Sequence, residues 1–157
     1  MNRRTFLASL PTLLLAGCAT RLGLVDRVEV TEKYVQAVEH SDGEQRESEL
    51  ARRRYRVEEG EPEYVGEIDD VIVADLEDGA PLVIPETTGE DLERAFLEVR
   101  YGIEACENSA GERRDCRDVR LFLDDFNEIE VGDVVDLRLS DDGAGLVSVH
   151  RRRDERA

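Results

Sequence analysis

Five side chains in this sequence carry reactive chemistry beyond simple charge: Cys18, Cys106, Cys116, His40 and His150. A thiolate can attack, bind a soft metal or oxidise to a disulfide. An imidazole can move a proton near neutral pH. Their spacing matches no known machinery. Nine residues separate Cys106 from Cys116 in a Cys-x9-Cys pattern, which is not a zinc spacing, and only the two histidines could complete a tetrahedral set. The chain has no Gly-x-Ser-x-Gly elbow, phosphate-cradling glycine loop, His-Glu-x-x-His or Cys-x-x-Cys. No catalytic residue, metal ligand or cofactor is assigned. His40 and His150 are the bases that a small exported hydrolase with a dispersed carboxylate and histidine site would use. With no nucleophile or partner carboxylate at motif spacing, ordinary surface or strand-end histidines are the stronger reading.

The charged clusters divide in the same way. Asp124, Asp125, Asn127, Glu128 and Glu130 offer the oxygens that a hard cation takes, but not in the twelve-residue EF-hand pattern. Acidic residues are dense throughout, so a solvated acidic surface is favoured. The triplets Arg52–Arg54 and Arg151–Arg153 invite a phosphate partner. The chain as a whole carries a formal charge of −17, and only eight Tyr and Phe residues could stack on bases. Phosphate binding depends on a positive field. Nucleic acid is not expected as a partner.

The N-terminus reads as an address. Arg3 and Arg4 precede an apolar run from Phe6 to Leu15, and the small residues Ala16 and Gly17 stand before Cys18. These are the parts of an export signal. The run falls well short of the ~20 residues that cross a bilayer, and Pro11 interrupts it. Arg3-Arg4-Thr5-Phe6-Leu7 resembles the twin-arginine export motif. Leu15-Ala16-Gly17-Cys18 resembles a lipobox, at which the cysteine takes a lipid and becomes the mature N-terminus. The resemblance to twin-arginine-exported lipoproteins implies a leader over 1–17, a lipidated tether over 18–24, and a folded domain at the outer face of the cytoplasmic membrane. One lipid chain holds weakly, so firm anchoring calls for a second chain or a membrane or envelope protein partner. With Cys18 lipidated, Cys106 and Cys116 are an even pair in an exported chain. They read as a disulfide at the base of a hairpin loop, ahead of a metal site or free thiols.

Without the leader 140 residues remain, which suits one domain. The leader holds two of the 21 basic residues and none of the 38 acidic ones, leaving a charge of −19. Lys33 is the sole lysine. The acidity and scarce lysine resemble proteins of halophilic archaea, whose charge is screened by concentrated salt.

Val28 and Val30 alternate with charged residues, and Tyr34, Val35, Ala37 and Val38 continue with a change of phase. This is a strand from Val25, ended by a turn at Asp42-Gly43. Glu44–Glu63 is polar, with a second strand read near Arg53–Val57. Tyr64–Ile68, Val71–Leu76 and Pro81–Ile84 suggest an antiparallel meander. Thr88-Gly89-Glu90-Asp91 has the form of a capping box, consistent with one short helix near 89–94. Leu92, Ala95, Val99 and Ile103 would share a helical face, but every second residue from Ala95 to Ala105 also alternates, which favours a strand over about 94–106. Val119 to Leu123 alternate beyond the cysteine loop. Val131–Leu139, a turn at Ser140–Gly145 and Leu146–His150 form a final hairpin. Gly132-Asp133 before that apolar strand resembles small barrels of the OB type. The expectation is one all-β, mainly antiparallel domain over 25–150, a small sandwich or OB-like barrel, with a charged tail at 151–157. The expected function is a non-catalytic binding or accessory module anchored in the membrane.

Overall fold

The structure is a computed structural model and describes residues 25–55, 61–73, 80–107 and 115–153. The leader, the lipobox and the tether fall outside them. The elements run β1 (Asp26–Ser41), β2 (Glu44–Tyr55), β3 (Pro62–Tyr64), α1 (Asp70–Val73), α2 (Glu86–Ala95), β4 (Glu98–Glu107), β5 (Cys116–Leu121), α3 (Leu123–Glu128), β6 (Val134–Ser140) and β7 (Gly143–Arg151). The domain is mainly antiparallel β, as its alternation implied. One sheet has the order β3-β2-β1-β4-β5-β7-β6, and β6 returns to pair with β1.

β1 makes that closure. Asp26–Glu29 pair with β6, Glu32–Ser41 pair with β2, and β4 takes the other edge from Val28 to Val38. The ring β1-β4-β5-β7-β6 is a five-stranded barrel, antiparallel except where β5 and β7 meet in parallel at Leu121 and Ala144. This ring order, with its one parallel contact, is that of an OB-type barrel. β2, β3, α1 and α2 are inserted between its first two strands. The phase change read in β1 is a bulge: register with β4 slips between Val30 and Glu32. A bulge bends a strand, which lets β1 leave β6 and take up β2. Asp42 and Gly43 then turn the chain with φ of 55° and 85°, the left-handed pair of a tight hairpin.

Several expectations are corrected. β2 begins directly after the turn and is twelve residues long. Among the described residues the meander expected between Tyr64 and Ile84 does not form: β3 ends at Tyr64 and Asp70–Val73 is a helical turn. Residues 74–79, which include the end of the expected Val71–Leu76 strand, lie outside the described residues. Residues 81–85 have no strand partner among the described residues. Leu82 and Ile84 do point into the core, but their N–H groups donate to Glu130 Oε2 (3.1 Å) and Asn127 Oδ1 (2.8 Å). The helix expected near 89–94 starts at Glu86, with Pro85 rather than Thr88 at its N-cap. Gly89 lies close on the barrel: a Cβ there would stand 2.9 Å from Leu123. Leu123 opens α3 instead of ending a strand. At the start of the charged tail Arg151 belongs to β7, and Arg152 and Arg153 reach Asp133; residues 154–157 lie outside the described residues.

Most buried side chains among the described residues are apolar, but Lys33, Arg53 and Asp133 are buried as well and form an ionic knot. Lys33 is 0% exposed. Its ammonium donates to the carbonyls of Leu82 and Ile129, both at 2.7 Å, and lies 4.1 Å from the centre of the Phe126 ring. Arg53, also buried, lies 3.4 Å from Glu130 and over the Tyr64 ring. Asp133 accepts the N–H groups of Glu130 (3.0 Å) and Arg153 (2.8 Å). The sole lysine thus ties β1 to two loops that no ladder holds.

Cys106 and Cys116 face each other across β4 and β5 and are joined as a disulfide, with Cα atoms 4.0 Å apart. The short loop limits the chain-entropy gain. A Cys106→Ala, Cys116→Ala chain is expected to fold but to lose about 2–3 kcal/mol. Thermal melting beside the oxidised parent checks this, and identical midpoints would mean that the strand ladder alone holds the loop.

Candidate functional site

The alternation of β5 places Val119 and Leu121 inward and Arg120 outward. Phe122 follows Leu121 with extended backbone (φ −71°, ψ 154°), so its ring turns outward just before α3 begins. It is 76% exposed, while Phe126 one helical turn later fills the core against Tyr101, ring centres 5.6 Å apart. Beside Phe122 opens a cleft of about 570 Å³, between the start of β4, α2, the end of β5 and the β6–β7 hairpin. That volume lies within the range of ligand pockets, roughly 300–1,000 Å³. Val99, Leu121, Leu123 and Ala144 make its apolar lining.

Two polar features mark the cleft. Tyr101 is buried at 5% exposure, and its hydroxyl has no hydrogen-bond partner among the described residues. A Cβ on Gly89 would stand 3.4 Å from it, so the glycine leaves room above the phenol. Burial, with the Glu93 carboxylate in support, raises the Tyr101 pKa, so the phenol stays protonated as a donor. The second feature is charge. Arg120 is engaged by Glu98, which is also bound by Arg100. Hydrogen bonds from Arg100 and then Arg120 hold the Glu98 carboxyl at about 2. Glu93, Asp124 and Asp142 line the same cleft and form no ion pair among the described residues.

A second hollow of about 500 Å³ continues from the cleft along Arg117–Arg120 and the hairpin tip. It exists because β7 meets β5 at a single residue pair and then diverges. Gly143 makes this approach possible: its φ is 147°, and a Cβ there would stand 2.7 Å from the Arg120 carbonyl.

The residues singled out by sequence fall elsewhere. Arg3, Arg4, Phe6, Leu7 and the lipobox ending at Cys18 lie outside the described residues. His40 sits by the β1–β2 turn, 3.5 Å from the Glu44 carbonyl. His150 lies near the end of β7, where Val149 pairs with Val135 and Val135 with Val28, at the opposite end of β1. Neither histidine lines the cleft. The acidic run also disperses: Asp125 accepts the Leu146 N–H (3.0 Å), Asn127 and Glu130 hold the 82–84 segment, and only Asp124 reaches the cleft. Among the described residues one group, Glu104 with Cys106 and Cys116, has the proximity of a metal site, but its two sulfurs are bonded to each other. The arginine triplets are absorbed as well. Arg52 bonds Glu32 and Glu49 and lies 4.9 Å over the Tyr34 ring, and Arg152 reaches Asp133 at 3.4 Å. Sequence reasoning passed over Phe122 and Tyr101. The one signal for Phe122 was that it stands out of phase with Val119, Leu121 and Leu123.

No family model matches the chain, and no curated protein or solved structure is significantly similar to it. An OB-type ring by itself carries no function. The cleft must be read from its own residues.

Proposed function

We propose that this protein is a lipid-anchored extracytoplasmic lipoprotein whose barrel is a non-catalytic binding or accessory module, offering the cleft beside Phe122 to a partner in the membrane or envelope. The observation that carries the binding half is an outward phenylalanine over an apolar-lined hollow with a buried, unpartnered phenol in its wall. An apolar-lined hollow with a few polar groups converging on it is the usual form of a binding site. The anchor half rests on the leader and on Cys18. Among the described residues no helix is long and apolar enough to cross a membrane.

Co-purification from native membranes in high salt tests both halves. Tagged wild type is expected in the membrane with one stoichiometric partner. Cys18→Ser should leave the membrane, and Phe122→Ser should stay there but lose the partner. If Cys18→Ser fractionates like wild type, the lipobox reading is wrong. If Phe122→Ser retains the partner in full, the cleft is not the docking site.

The acidic surface supports a salt-rich setting. Far-UV circular dichroism in about 0.1 M and about 3 M KCl is expected to show folding only, or far better, at the higher concentration, where the Debye length falls below ~3 Å. An equally stable fold in both would refute the halophilic reading.

A further inference from the structure

We infer that the cleft and the trough beside it take an extended peptide segment carrying an arginine or lysine, with its cation among Glu93, Asp124 and Asp142 against the face of Phe122. This rests on the reading of the cleft as a binding site and names its occupant.

Charge is the first argument. Three carboxylates without ion pairs among the described residues line one cleft, and the arginine beside them is already engaged by Glu98. Such a site repels anions. A cation with an apolar stem gains charge-assisted bonds at its head and contact with the exposed ring. The second argument is the Tyr101 hydroxyl, a buried donor with no acceptor among the described residues. Buried polar groups find partners, and a backbone carbonyl of the segment supplies one.

The third argument is the edge of β5, which selects a peptide over a small cation. Glu107 N–H donates to the Asp115 carbonyl at 3.0 Å. In an antiparallel ladder bonded pairs recur at every second residue, so 117, 119 and 121 turn their backbone groups to β4. Asp118 therefore turns its N–H and C=O, and Arg120 its N–H, to the trough, while the Arg120 carbonyl is covered by Gly143 where β7 meets β5 at Leu121. An open edge of this kind accepts an added strand. A segment laid there runs directly into the cleft, since the two hollows share Arg120, Ser140, Asp142 and Gly143.

The test uses the full chain in detergent at the lowest KCl concentration at which circular dichroism shows the fold intact, observed by backbone amide NMR. Three probes are added separately: the blocked pentapeptide Val-Thr-Arg-Val-Thr, the same peptide with norleucine for arginine, and N-acetyl-arginine amide. The arginine peptide is expected to shift the amides of Asp118, Arg120, Phe122 and Gly145, and to bind at least about tenfold more tightly than the norleucine peptide. Glu93→Gln with Asp124→Asn should erase that margin and leave the norleucine peptide unchanged, which separates lost charge from lost folding. Equal binding of the two peptides in the cleft would overturn the cation and leave the binding reading intact. N-acetyl-arginine amide binding as tightly as the peptide would overturn the extended segment and point to a free organic cation. No shift at these amides from any probe at millimolar concentration would overturn the inference and the binding reading together.

Discussion

A Lys33→Met chain is expected to lose about 2–5 kcal/mol of stability at pH 10, and less at pH 7. The amine is the hydrogen-bond donor to two buried carbonyls, Leu82 and Ile129. Methionine fills the volume but donates nothing, and each abandoned buried acceptor costs about 1–3 kcal/mol. The pH dependence comes from the charge. Burial pushes the Lys33 ammonium down from 10.5 to about 8, against the opposing pull of Glu130 and Asp133. In the unfolded chain the lysine keeps its proton up to its ordinary value. Between about pH 8 and 10.5 the unfolded state therefore holds more protons, and wild-type stability rises, by no more than about 3 kcal/mol. The variant lacks that rise, so the gap between the two proteins widens with pH. At pH 7 the cost of burying the ammonium, which only wild type bears, offsets part of the lost bonding.

Tyr34 and Tyr64 bound the same curve from above. Burial, joined for Tyr34 by a hydrogen bond to Asp118, pushes each phenol up to about 12. Above pH 10 the unfolded phenols ionise first, so stability falls in both proteins. Wild type should be most stable between about pH 9 and 10, and Lys33→Met should show no such maximum. Urea unfolding at a series of pH values measures this. A wild-type curve that is flat from pH 8 to 10 would mean that the carbonyls and the Phe126 ring stabilise the ammonium as well as water does.

What could be read in the sequence was local. Val28 and Val30 alternate because one face of β1 is inside the barrel, and the later phase change is the Thr31 bulge. Asp42-Gly43 and the Cys106–Cys116 pair were legible because turn chemistry and thiol parity need no knowledge of distant residues. The inserted segment was not. Glu44–Glu49 gives no alternation because neither face of early β2 meets the core. Arg53 belongs to a triplet that invites a phosphate partner, yet Glu130, far along the chain, lets it be buried. Leu82 and Ile84 alternate as a strand should, but side chains of the α3 region hold their backbone where a neighbouring strand would. Lys33 stands out in the sequence only as the sole lysine, and nothing near it signals that it is the centre of the core's only cation–carbonyl tie among the described residues. The cleft joins Glu93, Phe122 and Asp142, which only barrel closure brings together, so no window of sequence contains it.

Gly132→Ala is the second variant expected to be severely damaged, losing about 2–4 kcal/mol. Gly132 has φ of 94°, and a Cβ there would fall 1.5 Å from the Tyr55 hydroxyl oxygen and 2.9 Å from Arg153 Cγ. Its own N–H donates to the Val30 carbonyl at 2.7 Å, and the Asp133 carbonyl accepts the Val30 N–H at 2.9 Å. These bonds extend the β1–β6 pairing that closes the barrel, so the backbone cannot retreat from Tyr55 without opening the ring. Gly43 provides the control. Its φ of 85° is equally left-handed, but nothing lies within 4 Å of its Cβ position. Gly43→Ala should therefore lose only the backbone cost, about 1 kcal/mol. The excess at Gly132 is the collision, and a double-mutant cycle with Tyr55→Ala isolates it. If Gly132→Ala costs as much in the Tyr55→Ala background as in wild type, the collision is not the cause. If the cost falls to that of Gly43→Ala, Tyr55 packed on a bare glycine backbone is what fixes the chain as it leaves the ionic knot and enters β6.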